Sequence, residues 1–135
     1  MKEHIIPRNI NTVYIQASSF PNGVKTAHEQ LHKKMPAGDG RRFFGISFLN
    51  EKGEITYKAA AEELHPGEAD AFGLKTFTIR KGKYISEDLK DWYKQEGKIG
   101  EIFQKLLKQP HILKDGYCLE EYLNDTDIRL MVTVE

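Results

Sequence analysis

The sequence predicts an α+β fold: two β-α-β-β repeats forming an antiparallel sheet flanked by helices, with a cleft at the pseudo-twofold. Two observations carry that reading. The segments FFGISFLNEKGEITYKAAAEE and YCLEEYLNDTDIRLMVTVE can be laid over one another by their turns, and each is preceded by a strand pattern and a helical stretch. The repeats span about residues 10–64 and 74–135 of a single domain covering 1–135.

Each element has its own signal. Over residues 11–18, Val13, Ile15 and Ala17 alternate with Tyr14 and Gln16, the period of a strand. FPNG breaks the strand, and Asn22 is placed to cap a helix over 24–35, where Val24, Ala27, Leu31 and Met35 make one apolar stripe. PAGDG at 36–40 ends that helix. Strands are predicted from Arg41 and from Glu54, joined by the turn NEKG. Residues 64–73 read as a connector, and LKTFTIRKGKY at 74–84 as a further strand. A helical region is predicted to begin at Ser86, with Glu87 and Asp88 in its first turn, where acids suit the helix dipole. The glycines of KQEGKIGE are placed to interrupt it, IFQKLLK at 102–108 is amphipathic, and Pro110 stops it. A last hairpin turns at NDTD.

Composition sets the boundaries of function. At 135 residues, with 39% hydrophobic and 30% charged residues, the chain has the make-up of a water-soluble globular domain. Its 20 basic and 20 acidic residues cancel, which argues against direct nucleic-acid binding. One cysteine, Cys118, allows no internal disulfide. With no signal-peptide run and no membrane span in the sequence, a cytoplasmic location is expected.

The two hairpins differ at one informative place. In the alignment by turns, Phe44, Ile46 and Phe48 face Cys118, Glu120 and Tyr122, so an acid replaces an isoleucine. Strand residues two apart share a face, which sets Glu120 between Cys118 and Tyr122. Such a carboxylate is either solvated on an open sheet face or held in an apolar pocket, where an unpaired charge costs several kcal/mol or is neutralised by a raised pKa. Cys118 itself reads as a small buried hydrophobe.

One further motif bears on metal chemistry. His28-Glu29-Gln30-Leu31-His32 spells H-E-x-x-H on a predicted helix, the spacing that sets two imidazoles on one face in zinc peptidases. The longer zincin form fails, with Met35 and Gly38 at its Gly and His positions, and Lys33 and Lys34 follow at once. His28 and His32 are therefore read as boundary or surface histidines, and no metal or other cofactor is expected.

Three stretches carry a family resemblance: GISFLNEKGEITYKAAAE, FTIRKGKY and LEEYLNDTDIRLMVTVE. In that order they resemble the GyrI-like small-molecule-binding domains, also found as effector domains of multidrug-responsive transcription regulators. The resemblance implies two β-α-β-β modules around a ligand cleft, with the family's acid on Glu120 and its aromatic neighbour on Tyr122. Gly82 and Tyr84 match the middle motif, although Arg80 stands where the family usually has His. Only about ten residues precede the first predicted strand, so a stand-alone binding domain without a helix-turn-helix module is expected.

The implied ligand is a lipophilic, cationic or planar aromatic molecule. Glu120 would supply counter-charge, and Phe44, Phe48, Tyr57, Tyr84, Trp92, Tyr122 and Cys118 the walls, each aromatic offering a cation ~0.5–2 kcal/mol. Two other readings stay open. One is a hydrolase of reactive small molecules using Glu120 with Tyr122. The other is a protein-interaction inhibitor of a partner enzyme, and a protein partner or a homodimer is compatible with either.

Overall fold

The computed structural model describes residues 1–35 and 38–135. The chain order is β1 (Lys2–Ile6), β2 (Ile10–Gln16), α1 (Val24–Lys34), β3 (Phe43–Leu49), β4 (Ile55–Glu62), α2 (Glu68–Phe72), β5 (Lys75–Ile79), β6 (Gly82–Lys90), a 3-10 turn (Trp92–Lys94), α3 (Gly97–Leu107), β7 (Cys118–Tyr122) and β8 (Asp127–Thr133). The strands form one antiparallel sheet in the order β1-β6-β8-β7-β3-β4-β2-β5. Exchanging β1 with β5, β2 with β6, β3 with β7 and β4 with β8 reverses this order and so returns the same sheet. The centre of that exchange is the β3–β7 ladder, where Gly45 pairs with Glu120.

Both faces of the sheet are buried, one by helices and the other by the curling of the sheet itself. On one face α1 covers Val13, Tyr57, Ala59 and Ala61, while α3 covers Leu89, Ile128, Leu130 and Val132. On the other face Phe44, Ile46, Leu119 and Met131 share a single cluster with Ile6 of β1 and Ile79 of β5, the two edge strands. Strands from opposite edges meet there only if the sheet bends round on itself, which gives a half-barrel with an apolar interior.

Several sequence expectations are corrected. Residues 74–84 are not one strand but β5 and β6, broken at Arg80–Lys81. Three side chains hold the break: Tyr117 Oη accepts Arg80 N–H at 2.9 Å, Tyr84 Oη donates to Arg80 O at 2.7 Å, and Asn9 Oδ1 accepts Lys81 N–H at 2.8 Å. The predicted helical region from Ser86 is strand instead, because Ser86, Glu87 and Asp88 find partners in Met131, Leu130 and Arg129 of β8. Gly97 and Gly100 do not interrupt a helix. They lie in the first turns of α3, whose Ile102 and Leu106 are buried against the sheet. Gly23, not Asn22, is the N-cap of α1, with no side-chain capping bond. The connector contains the short helix α2, and β1 had no expected counterpart. Of the segment expected to end α1, Pro36 and Ala37 lie outside the described residues.

Both hairpin turns carry an asparagine in the same role. Asn50 Oδ1 accepts the backbone N–H groups of Lys52 and Glu54, and Asn124 Oδ1 those of Thr126 and Asp127. Such side-chain turns fix the register of the strands they join.

A buried ion pair ties α2 to the segment just before β3. The Arg41 guanidinium makes two bonds to Glu68, at 3.1 and 2.8 Å, and a third to Glu62 O at 3.0 Å. Glu68 also accepts the Leu64 N–H at 2.7 Å. Both side chains are buried, and the guanidinium holds the Glu68 carboxyl down to about 2. Removing one partner of such a pair leaves the other buried and uncompensated. Arg41→Met is expected to lower unfolding free energy by about 3 kcal/mol in a urea titration.

Candidate functional site

Glu120 projects from β7 onto the helix-covered face, in the seam between the part covered by α1 and the part covered by α3. Its ladder partners are Gly45 on β3 and Leu130 on β8. Residues paired across an antiparallel ladder share a face, so Phe43, Gly45 and Ser47 lie on the side of Cys118, Glu120 and Tyr122. The alignment of Ile46 with Glu120 is therefore corrected by one residue, and a one-residue slip moves every side chain to the opposite face. Phe44, Phe48 and Tyr84 belong to the half-barrel interior, behind the sheet from Glu120. Tyr84 Oη bonds there with Tyr117 Oη at 2.7 Å.

Four of the expected residues do gather with the acid. Tyr57 on β4 donates its hydroxyl to Glu120 Oε1 at 2.7 Å, and Tyr122 donates to the same oxygen at 3.0 Å. Trp92 meets Tyr122 edge to face, with ring centres 5.5 Å apart. Its indole N–H is buried and has no hydrogen-bond partner among the described residues. Cys118 is half-buried two residues before Glu120, and burial with the neighbouring carboxylate pushes its thiol up to about 11, far from a thiolate nucleophile.

Three further residues complete the site. His28 Nε2 lies 2.8 Å from Tyr57 Oη and 3.4 Å from Tyr122 Oη, so the first histidine of HEQLH faces the carboxylate cluster. His32 stacks instead on Phe43, with ring centres 4.3 Å apart. Among the described residues no group of three His, Cys, Asp or Glu is arranged to hold a metal ion. Phe20, from the loop before α1, stacks on Tyr57 and is 42% exposed, forming the outer wall. Gly45 is the floor: a Cβ there would overlap Tyr57 Oη and Glu120 Oε1.

Sequence reasoning missed these three residues, although two signals could have found His28 and Gly45: His28 falls four residues after Val24, at the edge of the apolar stripe of α1, and a glycine inside a strand marks a close approach.

The electrostatics follow from burial. Glu120 is only 8% exposed, and desolvation pushes its carboxyl above the usual range against the opposing pull of the two tyrosine hydroxyls. None of the ion pairs among the described residues involves Glu120. His28 is lowered to about 4, first by burial and then by the nearby His32, so its imidazole is neutral at pH 7. Aromatic rings fill the space over the acid. An open groove of about 410 Å³ elsewhere, lined by His4, Arg8, Arg42 and Glu62, contains none of this cluster.

No family profile and no curated protein matches the chain. Solved structures do share its fold. An integron cassette protein from Vibrio cholerae superposes with a TM-score of 0.74 at 10% identity, covering 99% of this chain and 95% of that one. SAV2435, solved bound to tetraphenylphosphonium, gives a TM-score of 0.70 at 11% identity, covering 99% of this chain and 93% of that one. A bacterial transcription regulation protein from Staphylococcus aureus gives 0.60 at 14% identity, covering 98% and 97%. At these identities the likeness is one of fold, and it is consistent with the GyrI-like architecture. No helix among the described residues is long and apolar enough to cross a membrane.

Two outcomes are expected. Gly45→Ala should destabilise the protein by about 2 kcal/mol in urea, because the added methyl forces Tyr57 from Glu120. The second concerns acid. Between about pH 6.5 and 4 the unfolded chain protonates His28 and the folded one does not, so the histidine lowers stability as pH falls through that window. Urea unfolding of His28→Gln should show a smaller loss from pH 7 to pH 5 than the wild type, by about 1–2 kcal/mol.

Proposed function

We propose that this chain is a small-molecule-binding domain for lipophilic cations and planar aromatic molecules, with Glu120 as the counter-charge. One observation carries the reading: a buried carboxylate ringed by Tyr57, Tyr122 and a neutral His28, with no cationic partner among the described residues. A site of that kind satisfies the acid only in part. A bound cation would supply the missing charge, and the surrounding rings would add cation–π contacts. The walls are Tyr57, Tyr122, Trp92 and Phe20. Phe44, Phe48 and Tyr84, on the other face, are not part of them.

The fold supports the reading indirectly. SAV2435, of the same fold, was solved with tetraphenylphosphonium, an organic cation that carries four aromatic rings. The Staphylococcus aureus neighbour ties the fold to transcription regulation, so an effector-sensing role is the biological setting proposed. Because the rings now fill the space over Glu120, uptake requires Phe20, Tyr122 or Trp92 to move aside. Phe20 is the most exposed of them and lies in a loop, which makes it the expected gate.

The test is calorimetric titration with tetraphenylphosphonium. Glu120→Gln should weaken binding by at least about tenfold with the fold intact by circular dichroism. Equal affinity for both proteins would sink the counter-charge role. A cation needs the ionised carboxylate, so wild-type affinity should also fall as pH drops through the raised pKa of Glu120.

A further inference from the structure

The hydrogen-bond geometry assigns His28 a directing role that neither the fold nor the H-E-x-x-H spelling suggests. Tyr57 has one hydroxyl proton and two close polar neighbours, Glu120 Oε1 at 2.7 Å and His28 Nε2 at 2.8 Å, with Tyr122 Oη farther off at 3.4 Å. One proton cannot serve both. If Tyr57 donates to the ionised Glu120, the proton between Tyr57 Oη and His28 must belong to the imidazole, and His28 is the Nε2–H tautomer. If Glu120 is protonated, the chain can run the other way, with Glu120 donating to Tyr57 and Tyr57 donating to a bare Nε2. The direction of the chain and the charge of Glu120 are thus coupled through a single hydroxyl.

We propose that His28 is a positioning residue for ligand capture: by donating from Nε2 to Tyr57, it turns the tyrosine hydroxyl onto Glu120 and holds the carboxylate ready for a permanently charged organic cation. This rests on the binding reading above and deepens it. The ligand class it names is the quaternary phosphonium or ammonium ion, which cannot lose its charge on entering an apolar site. A titratable amine could arrive neutral and take the proton of Glu120. A permanent cation gains nothing from a protonated acid, so the pH at which Glu120 ionises decides whether it binds.

The groups that bear on that ionisation come from four elements, while the ladder partners on β3 and β8, Gly45 and Leu130, carry no charge. Tyr57 lies on β4, and Cys118 and Tyr122 on β7. His28 and His32 lie on α1, and Glu96, at the N-terminus of α3, acts on Tyr122. His28 is neutral across the range of interest, since it is lowered to about 4. It therefore acts through its proton placement and not through its own charge.

The experiment is the pH profile of tetraphenylphosphonium affinity, by calorimetry from pH 5 to 9, for wild type, His28→Phe and His28→Gln. Phenylalanine keeps a ring in place and removes the donor, whereas the glutamine amide can donate to Tyr57. The expected result is a binding midpoint about half to one pH unit higher in His28→Phe. Binding would then be about three- to tenfold weaker below the midpoint and nearly unchanged at pH 9. His28→Gln should restore the wild-type midpoint. Equal weakening at every pH in His28→Phe, or failure of glutamine to restore the midpoint, would overturn the directing role and leave the binding reading standing. No heat of binding from the wild type at any pH would overturn the binding reading, and this proposal with it.

Discussion

A carboxylate is held almost out of water by two tyrosine hydroxyls, and the centre of the molecule is arranged around that fact. Glu120 is buried on the helix face at the middle of the sheet, where an ionised acid without partners would cost several kcal/mol. Tyr57 and Tyr122 reduce the cost from β4 and from β7 itself, and His28 reaches the same cluster from α1. Gly45 makes the arrangement feasible by leaving the space that any other residue would fill. Loss of one of these contacts changes the neighbours of the others, since all four side chains share a few ångströms.

The rest of the fold sets the cluster in place. The curled sheet needs bends in its long strands, and these occur at Pro7–Asn9 and at Arg80–Lys81, which touch through Asn9 and Lys81. Tyr84 and Tyr117 bind the second bend to the barrel interior. Tyr84 was expected from the sequence to be part of a ligand wall. The hydroxyls of both tyrosines serve the backbone turn and each other, so their role is to hold the curvature that brings the two helices to either side of the β3–β7 seam.

The binding chemistry depends on the same burial. Desolvation raises Glu120 and lowers His28, which favours the neutral form of each. The fold can close around such a cluster, and the proposed cation would satisfy it further. In the proposed binding role, stability of the free protein and affinity for a ligand would draw on the same carboxylate.

The sequence by itself determined the α+β class, the two similar hairpins with their asparagine turns, the helix over 24–35, and Glu120 with Tyr122 as a polar pair on an apolar strand. Those features are local: period, turn chemistry and spacing are written in neighbouring residues. It misread the strand continuing through Ser86, because acids near a serine resemble a helix start and only the partner strand β8 overrides that preference. The tertiary structure alone decided which aromatics meet Glu120. Register across the β3–β7 ladder is a property of two strands some seventy residues apart, and a shift of one residue exchanges the faces. For the same reason the sequence put Phe44, Phe48 and Tyr84 at the acid and left out His28, Phe20 and Gly45, which reach it only once the sheet has paired and α1 has packed.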